Sequence, residues 1–299
     1  MWNPEFEGWY FKHQKGRDTV AFIPGQAKSG AFVQVIWPEG ARCFPLPALH
    51  VDRKGERIYA PGCRFGRDGI SVDLPGIRGE ISYGPLTPLR SDIMGPFRFF
   101  PMECRHGVLS MGHRLRGSLE LPGRAVDFDG GLGYLEKDSG RSFPKSYLWL
   151  QCSDFSQPCS IFLSLARIPF CGLVFPGCIC AVHFGGREYR FATYEGVKLL
   201  ETGPDRIVPV SYTHLDVYKR QGRGGGRRGG AHHAHPVLQA GDDGGRHRAH
   251  HLPLPLCTAL FHQGDHRGRG KGLNACVLLT GPLPGAPLLF TKFDYPAVL

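Results

Sequence analysis

Short apolar stretches that end at glycine or proline recur along the first 209 residues of the chain. Residues 70–74, for example, alternate apolar and polar side chains and stop at Pro75 and Gly76. Alternation over four to eight residues is typical of a half-buried strand, and no window keeps the apolar period of an amphipathic helix. We therefore predict an all-β fold of antiparallel hairpins, arranged as a sandwich or a barrel.

Two hairpins can be placed from their turn residues. Residues 6–14 predict an aromatic strand that turns at residues 15–16 and returns over residues 18–23, ending at Pro24 and Gly25. Gly185 and Gly186 separate two apolar runs and predict a second hairpin with a two-residue turn.

The aromatic block at residues 96–101 has a different pattern, because proline stands at both of its ends. Proline cannot donate to a β ladder and is excluded from central strands. We predict an irregular crossover here that forms a wall of the fold.

The charge of the chain is unevenly placed. The net charge is +10, but residues 210–299 hold 11 of the 36 Lys and Arg residues and only 5 of the 26 Asp and Glu residues. Nine of the 14 His residues also lie beyond Pro209. The basic excess that would suggest a nucleic-acid partner therefore belongs mostly to this region, whose alternatives are a His-rich metal tract or a Gly-Arg tail.

Residues 210–221 favour a different interpretation of that region. Their sequence, VSYTHLDVYKRQ, is the translation of two transposon mosaic ends joined head to head, as used in sequencing adapters. We predict three parts: an all-β domain over 1–209 that is truncated at its C-terminus, an adapter-derived junction over 210–221, and an out-of-frame or foreign, disordered tail over 222–299. With the tail set aside, we expect no nucleic-acid partner.

Targeting signals are not recognisable. The first seven residues include two acids and no apolar core, and no apolar run approaches the length of a membrane span. We predict a cytoplasmic protein without an integral membrane segment, and leave open peripheral contact with a membrane and the oligomeric state.

A charged stretch over residues 133–145 runs into an aromatic segment over residues 146–152. We predict that it forms a loop holding reactive side chains at the mouth of a β scaffold. The alternative is a solvated turn whose charges pair loosely with each other.

The cysteines and histidines give no metal signature. Cys178 and Cys180 are too close for the usual zinc pairing and share one face of a strand, so we predict free core thiols. The histidines at positions 13, 50, 106, 113 and 183 stand singly and are interpreted as structural.

Three stretches together resemble the tocopherol cyclase family, including its bacterial members, over most of residues 6–200. The matching residues are Phe6 to Lys12; Glu136-Lys137-Asp138, Gly140, Phe143-Pro144, Trp149, Gln151-Cys152 and Phe155; and Cys180 to Phe184, Gly186, Glu188-Tyr189 and Phe191. The chain departs from the plant pattern at Ser139, where that pattern has an aromatic residue.

The resemblance implies a lipocalin-like, incomplete barrel and an intramolecular lyase, an isomerase that closes a prenylated quinol to a chromanol. Such a reaction protonates an alkene and lets the phenol oxygen capture the cation, without a metal or redox cofactor. It requires a carboxylic acid kept neutral by burial and aromatic walls that stabilise the cation.

The chain offers candidates for each role, and these assignments are hypotheses. Asp138 or Glu136 is the predicted acid and Glu7 the second carboxylate; Trp9, Tyr10 and Trp149 line the site; Lys12, Lys137 or Arg141 holds the ring oxygen. The alternative is that the charged residues among them form an ion-pair latch between the first strand and the central loop. The alternative function is a non-catalytic, lipocalin-like carrier of an apolar small molecule.

Overall fold

β-Strands make up nearly all of the structure. The computed structural model describes residues 4–52, 57–144, 146–155, 157–170, 173–202, 207–211, 257–263, 278–279 and 288–289. Over these residues it contains 21 strands and two short 3-10 helices, so the all-β prediction is confirmed.

The strands, in chain order, are β1 (Phe6–Lys15), β2 (Asp18–Ala27), β3 (Gly30–Trp37), β4 (Gly40–Leu46), β5 (His50–Val51), β6 (Arg57–Ala60), β7 (Cys63–Gly66), β8 (Gly69–Leu74), β9 (Ile77–Tyr83), β10 (Cys104–Leu121), β11 (Arg124–Asp127), β12 (Leu132–Gly140), β13 (Ser146–Cys152), β14 (Cys159–Phe170), β15 (Leu173–Phe184), β16 (Arg187–Ala192), β17 (Val197–Thr202), β18 (Ile207–Ser211), β19 (Cys257–Gln263), β20 (Leu278–Leu279) and β21 (Leu288–Leu289). The 3-10 helices are Gly95–Phe99 and Thr193–Glu195.

The strands form two main sheets. The larger has twelve strands in the order β4-β3-β2-β1-β12-β10-β9-β8-β7-β6-β5, with β11 also paired to β10. The smaller has the order β16-β15-β14-β13-β19. All described strand pairs are antiparallel, as the predicted lipocalin-like arrangement of hairpins requires.

Strand β10 connects the two halves of the larger sheet. Its first part pairs with β12, and its last part pairs with β9 and β11. The register with β12 shifts between Val108 and Ser110 and again between Ser110 and His113. Such bulges bend a strand and increase its twist, which allows one long strand to pair with both halves of the larger sheet.

The two sheets pack face to face over an aromatic layer. The larger sheet contributes Tyr10 and Tyr134 to this layer, and the smaller sheet contributes Trp149, Phe162 and Ala181. A second apolar core, which includes Phe22 and Phe65, fills the other side of the larger sheet. The contact between the sheets is where the candidate site lies.

The predicted hairpins are confirmed, with one correction. β1 and β2 pair across a two-residue turn, and Gly185 and Gly186, at φ of 57° and 72°, form the turn between β15 and β16. The predicted end of the return strand at Pro24 is wrong, because β2 continues to Ala27. The pairing of β2 with β1 skips Ile23 and Pro24, so the missing proline N–H removes no bond from that ladder.

The loop predicted over residues 133–145 is also wrong over most of its length. Residues 132–140 form β12, which pairs with β1 on one side and β10 on the other. Its backbone groups are therefore satisfied by two neighbours, and this pairing overrides the local preference of a charged, glycine-rich sequence for a turn. The connection to β13 begins only at Arg141.

The predicted crossover around residues 96–101 is confirmed as irregular backbone with one 3-10 turn, Gly95–Phe99. It is held against the smaller sheet by Arg190, which donates to the carbonyl oxygen of Asp92 at 2.9 Å, and by Tyr194, which donates to that of Ile93 at 2.8 Å. The crossover therefore forms one wall of the space between the sheets.

Most of the predicted junction and tail lies outside the described residues. Val210 and Ser211 end β18, and residues 212–221 are not described. Within 222–299, β19 pairs in register with β13, and β20 pairs with β21. The adapter interpretation and the three-part division stay predictions. No helix in the described part of the chain has the length and apolarity needed to cross a bilayer.

Candidate active site

A cavity of about 540 Å³ lies between the two sheets, which is within the usual range for small-molecule sites. Strands β1, β2, β3, β10 and β12 line it from the larger sheet, and β13, β14 and β15 line it from the smaller one. The crossover adds Met94, Phe97 and Met102. The lining is mostly apolar, so the few polar side chains that reach it stand out.

Alternation along β12 puts Glu136 and Asp138 on the face that lines this cavity. In the register of the larger sheet, Tyr10 lies opposite Glu136, and both Gly8 and His106 lie opposite Asp138. The pairing of two strands, β10 and β12, thus brings an imidazole and two carboxyl groups together. The strand backbone, rather than a mobile loop, fixes their positions.

Glu136 is a buried acid that is held by hydrogen-bond donors. Its side chain is 5% exposed, and Oε2 accepts hydrogen bonds from the Tyr134 hydroxyl at 2.6 Å and from Trp149 Nε1 at 3.1 Å. Burial raises the pKa of Glu136, and nearby His106 acts against that rise. Because these donors converge on Oε2, Oε1 is the oxygen that carries the proton when the acid is protonated.

His106 lies between the two carboxyl groups. Its Nδ1 is 2.5 Å from Asp138 Oδ1, and its Nε2 is 3.4 Å from Glu136 Oε2. The second contact lacks hydrogen-bond geometry and is electrostatic. Burial favours the neutral ring, but Asp138 and then Glu136 outweigh it and hold the pKa of His106 well above its ordinary value. The two carboxyl groups therefore favour the imidazolium form of His106, and its ring stacks on Phe162 with a centroid distance of 4.6 Å.

His106, Glu136 and Asp138 also place one nitrogen and two carboxylate oxygens within 4.8 Å of one another. These are donor types that bind divalent metals. Here, however, both imidazole nitrogens face carboxyl oxygens, as in a shared-proton cluster. The absence of a metal from the reaction stays a prediction that chelation can test.

Three aromatic rings surround the acid. Tyr10 contacts Trp149 edge-to-face with a centroid distance of 5.2 Å, and Tyr134 lies 6.4 Å from each of them. Aromatic faces stabilise nearby cations and exclude water. Burial also raises the pKa of Tyr134 well above its ordinary value, which keeps its hydroxyl protonated as a donor to Glu136.

Two other predicted residues, Glu7 and Lys137, pair with each other. Lys137 Nζ lies 2.5 Å from Glu7 Oε1 and 4.7 Å from the centroid of the Trp9 ring. Alternation puts Lys137 on the face of β12 opposite to Glu136. Glu7 and Trp9 border the cavity, but this group agrees with the alternative of an ion pair linking β1 to β12.

Lys12 and Arg141 are not brought to the cavity. Lys12 is 2% exposed and donates to Gln151 Oε1 at 2.8 Å, which links the two sheets beyond Tyr134. Burial lowers the pKa of Lys12 to about 7. Arg141 is exposed, and neither residue lines the cavity, nor does Lys137. Their predicted role of holding a ring oxygen has no support from their placement.

The structure adds residues that the sequence did not single out. His106 was interpreted as structural because it stands alone in the sequence, and Tyr134 had no assigned role. Their relation to Glu136 comes from the register of β10 with β12 and from alternation within β12. The prediction of free core thiols is confirmed, since Cys178 and Cys180 are buried and unbonded.

Comparisons with known proteins agree in part with the resemblance. No protein-family model matches the chain. A probable chloroplast tocopherol cyclase of Oryza sativa subsp. japonica is 24% identical over 156 residues, which cover 50% of this chain and 32% of that protein. The chain thus spans about a third of that relative's length. This similarity supports a relationship to tocopherol cyclases over half of the chain.

Solved structures share the fold only distantly. The crystal structure of CghA with Sch210972 has a TM-score of 0.45 at 12% identity and covers 61% of this chain and 58% of its own. Kievitone hydratase from Nectria haematococca has a TM-score of 0.41 at 9% identity, covering 67% of this chain and 66% of its own. At this distance neither structure carries an argument about function.

Proposed function

We propose that this protein is a cofactor-free cyclase that closes a prenylated quinol to a chromanol, with Glu136 as the proton donor. One observation carries the proposal: a buried carboxyl group lines an apolar cavity, and Tyr134 and Trp149 both donate to the same one of its two oxygens, Oε2. The similarity to a tocopherol cyclase supports the same class of reaction.

In the first step, the Oε1 proton of Glu136 is transferred to the less substituted carbon of the alkene, and a tertiary cation forms. The carboxylate left behind is stabilised by the donors Tyr134 and Trp149 and by the charge of His106. The faces of the surrounding rings stabilise the cation, and a substrate that fills the apolar cavity keeps water from capturing it.

In the second step, the phenol oxygen attacks the cation and forms the new C–O bond. The phenol proton then passes to the Glu136 carboxylate and regenerates the acid. One proton enters the substrate and one leaves it, so substrate and product are isomers and no oxidant or reductant is consumed. Asp138 holds the ring of His106 beside Glu136 throughout, so that the imidazolium faces the carboxyl group.

A carrier of an apolar molecule is the competing function. Such a carrier needs the cavity, but it gains nothing from a buried carboxyl group held among hydrogen-bond donors, since burying a polar group costs free energy. The Glu136 arrangement therefore favours catalysis over simple binding.

The test is turnover of a prenylated hydroquinone by the full chain, read as a product of unchanged mass that has lost one phenolic hydroxyl. Glu136→Gln, which keeps an acceptor for Tyr134 and Trp149, is expected to lower kcat by roughly 10²- to 10⁴-fold. The matched control is Glu120→Gln, an exposed carboxylate at the far end of β10. Addition of a chelator is expected to leave turnover unchanged.

Each alternative has its own result. Full turnover by Glu136→Gln would overturn the assignment of the acid. Tight binding of the hydroquinone with no product would favour the carrier. Loss of turnover on chelation, restored by a divalent metal, would identify His106, Glu136 and Asp138 as a metal site.

A further inference from the structure

Exposed apolar side chains are concentrated beside the cavity. Six large apolar residues are exposed in the part of the chain with described side chains, and five of them come from three segments that also line the cavity. We call these five the mouth patch: Phe99, Phe100, Phe143, Leu173 and Val174. Phe99 and Leu173 are each 74% exposed, whereas the sixth residue, Tyr59, lies on β6 outside the cavity lining.

The crossover contacts each of the other two segments: a ring contact joins it to β15, and at its end the carbonyl oxygen of Glu103 accepts from the N–H of Arg141 at 2.8 Å. Phe97 of the crossover lies 6.0 Å from Phe175 of β15, and Phe143 lies 4.6 Å from Phe6 of β1. Phe97, Phe143 and Phe175 all line the cavity. The mouth patch is therefore the outer continuation of the cavity wall, on a 3-10 turn, an interstrand connection and the start of a strand. Exposed patches of this kind mark interaction sites.

Exposed arginines lie on two of these segments and on the neighbouring strand β14. Arg98, Arg141 and Arg167 are exposed, and none of them is ion-paired to a carboxylate among the described residues. Arg98 lies over the ring of Phe99, 4.5 Å from its centroid. Two carboxyl groups belong to the crossover: the exposed Asp92, whose Oδ1 accepts from the backbone N–H of Met94 at 2.8 Å, and Glu103, which is partly buried at the cavity wall. The surface thus combines protruding apolar side chains with exposed guanidinium groups.

We propose that the mouth patch docks on an anionic lipid bilayer, so that an apolar substrate passes from the membrane into the cavity. Aromatic and aliphatic side chains that enter the interface, with basic residues that meet the headgroups, are the usual composition of a peripheral membrane surface. The proposal rests on the proposed function in one respect, that the substrate dissolves in lipid.

A second copy of this chain fits the patch less well. In a twofold dimer the same surface meets itself, so the exposed arginines would be brought together and repel. A lipid surface of opposite charge has no such cost. The charge of the patch therefore favours the membrane over self-association.

Vesicle co-sedimentation of the full chain tests the proposal, with phosphatidylcholine vesicles prepared with and without phosphatidylglycerol. We expect the chain to bind the anionic vesicles, and Phe99→Ser with Leu173→Ser to lower the partition coefficient by roughly tenfold or more. Tyr59→Ser is the matched control, because it removes an exposed ring away from the mouth, and it is expected to bind as the unsubstituted chain does. All variants keep the same basic tail.

Equal binding by the double variant and the unsubstituted chain would overturn the proposal, since it would assign binding to the tail or to general charge. A dimer of the unsubstituted chain that the double variant loses, with no vesicle binding, would also overturn it in favour of self-association.

Turnover separates this proposal from the proposed function. The double variant is expected to convert detergent-solubilised hydroquinone normally but to act slowly on hydroquinone embedded in vesicles. If no form of the chain converts the hydroquinone while vesicle binding still depends on the patch, the proposed function fails and the docking surface stands. Equal rates on embedded hydroquinone for both forms would overturn docking as the route of entry.

Discussion

The Nδ1 atom of His106 lies 2.5 Å from Asp138, while the other nitrogen of the same ring faces Glu136. The imidazolium charge lowers the pKa of Glu136, in opposition to the stronger effect of burial, which raises it. Removing the imidazole should therefore raise the pKa of Glu136 further.

For this reason, His106→Asn is expected to move the alkaline limit of catalysis to higher pH. The proton donor must be protonated, so turnover falls as pH rises through the pKa of Glu136, and the variant shifts that fall upward. The maximal rate should drop by roughly tenfold or more, because the carboxylate formed in the transition state loses a neighbouring cation. The measurement is kcat against pH for both proteins. A limit that stays in place would contradict the effect of His106 on Glu136, and a limit that disappears would point to His106 itself as the acid.

Gly8 provides a steric test of the cavity. It lies opposite Asp138 on β1 and lines the cavity, and a Cβ added there would meet its nearest atom, the carbonyl oxygen of Pro24, at 3.9 Å. Gly8→Ala should therefore fold and turn over normally. Gly8→Leu should fill the part of the cavity beside Asp138 and lower kcat/KM by roughly tenfold or more. Thermal unfolding checks that both variants are folded. Equal activity of the two variants would mean that the substrate does not occupy this part of the cavity.

Lys12 makes the stability of the fold depend on pH. Burial lowers its pKa from 10.5 to about 7 against the opposing charge of Asp154, so between these values the unfolded chain binds a proton that the folded chain does not. The free energy of unfolding contributed by this group therefore rises with pH through this window, by at most about 1.4 kcal/mol per unit. At or below pH 7 the buried ammonium group imposes its full cost.

Lys12→Met should remove this dependence. We expect the stability of the variant relative to the unsubstituted chain to be greatest at pH 7 and to decline by about 2 kcal/mol by pH 9. Urea unfolding at the two pH values measures the difference. Lys15→Met is the matched control, because Lys15 forms an exposed ion pair with Asp127, and it should change stability equally at both pH values. A pH-independent difference for Lys12→Met would show that Lys12 does not titrate in this window.

Local patterns were sufficient for the hairpins and insufficient for β12. Gly185 and Gly186 supply the positive φ angles that a two-residue turn requires, so the turn between β15 and β16 could be predicted from two residues. The charges and glycines of residues 133–140 predicted a loop, and this prediction was wrong. The partners that make this segment a strand lie on β1 and β10, outside the segment itself. Pairing between distant strands leaves no local signature.

The candidate site was predictable in its carboxyl groups and not in its geometry. Glu136 and Asp138 were singled out by residue type and resemblance, but the sequence could not tell that alternation separates them from Lys137. His106 was set aside because its two neighbouring carboxyl groups come from another strand. Burial, which gives Glu136 its raised pKa, depends on packing against Trp149 of the other sheet, and no local pattern encodes such packing.

Glu136 sits on a strand whose backbone is paired on both sides, to Tyr10 on β1 and to Val108 on β10. Local fraying of one ladder cannot release its backbone, because both ladders must open before the strand leaves the sheet. We therefore expect the amide of Glu136 to be among the slowest to exchange its hydrogen, at the free energy of global opening. Heat inactivation and loss of the fold should then coincide in a single transition, while the segments at the mouth of the cavity remain free to change conformation.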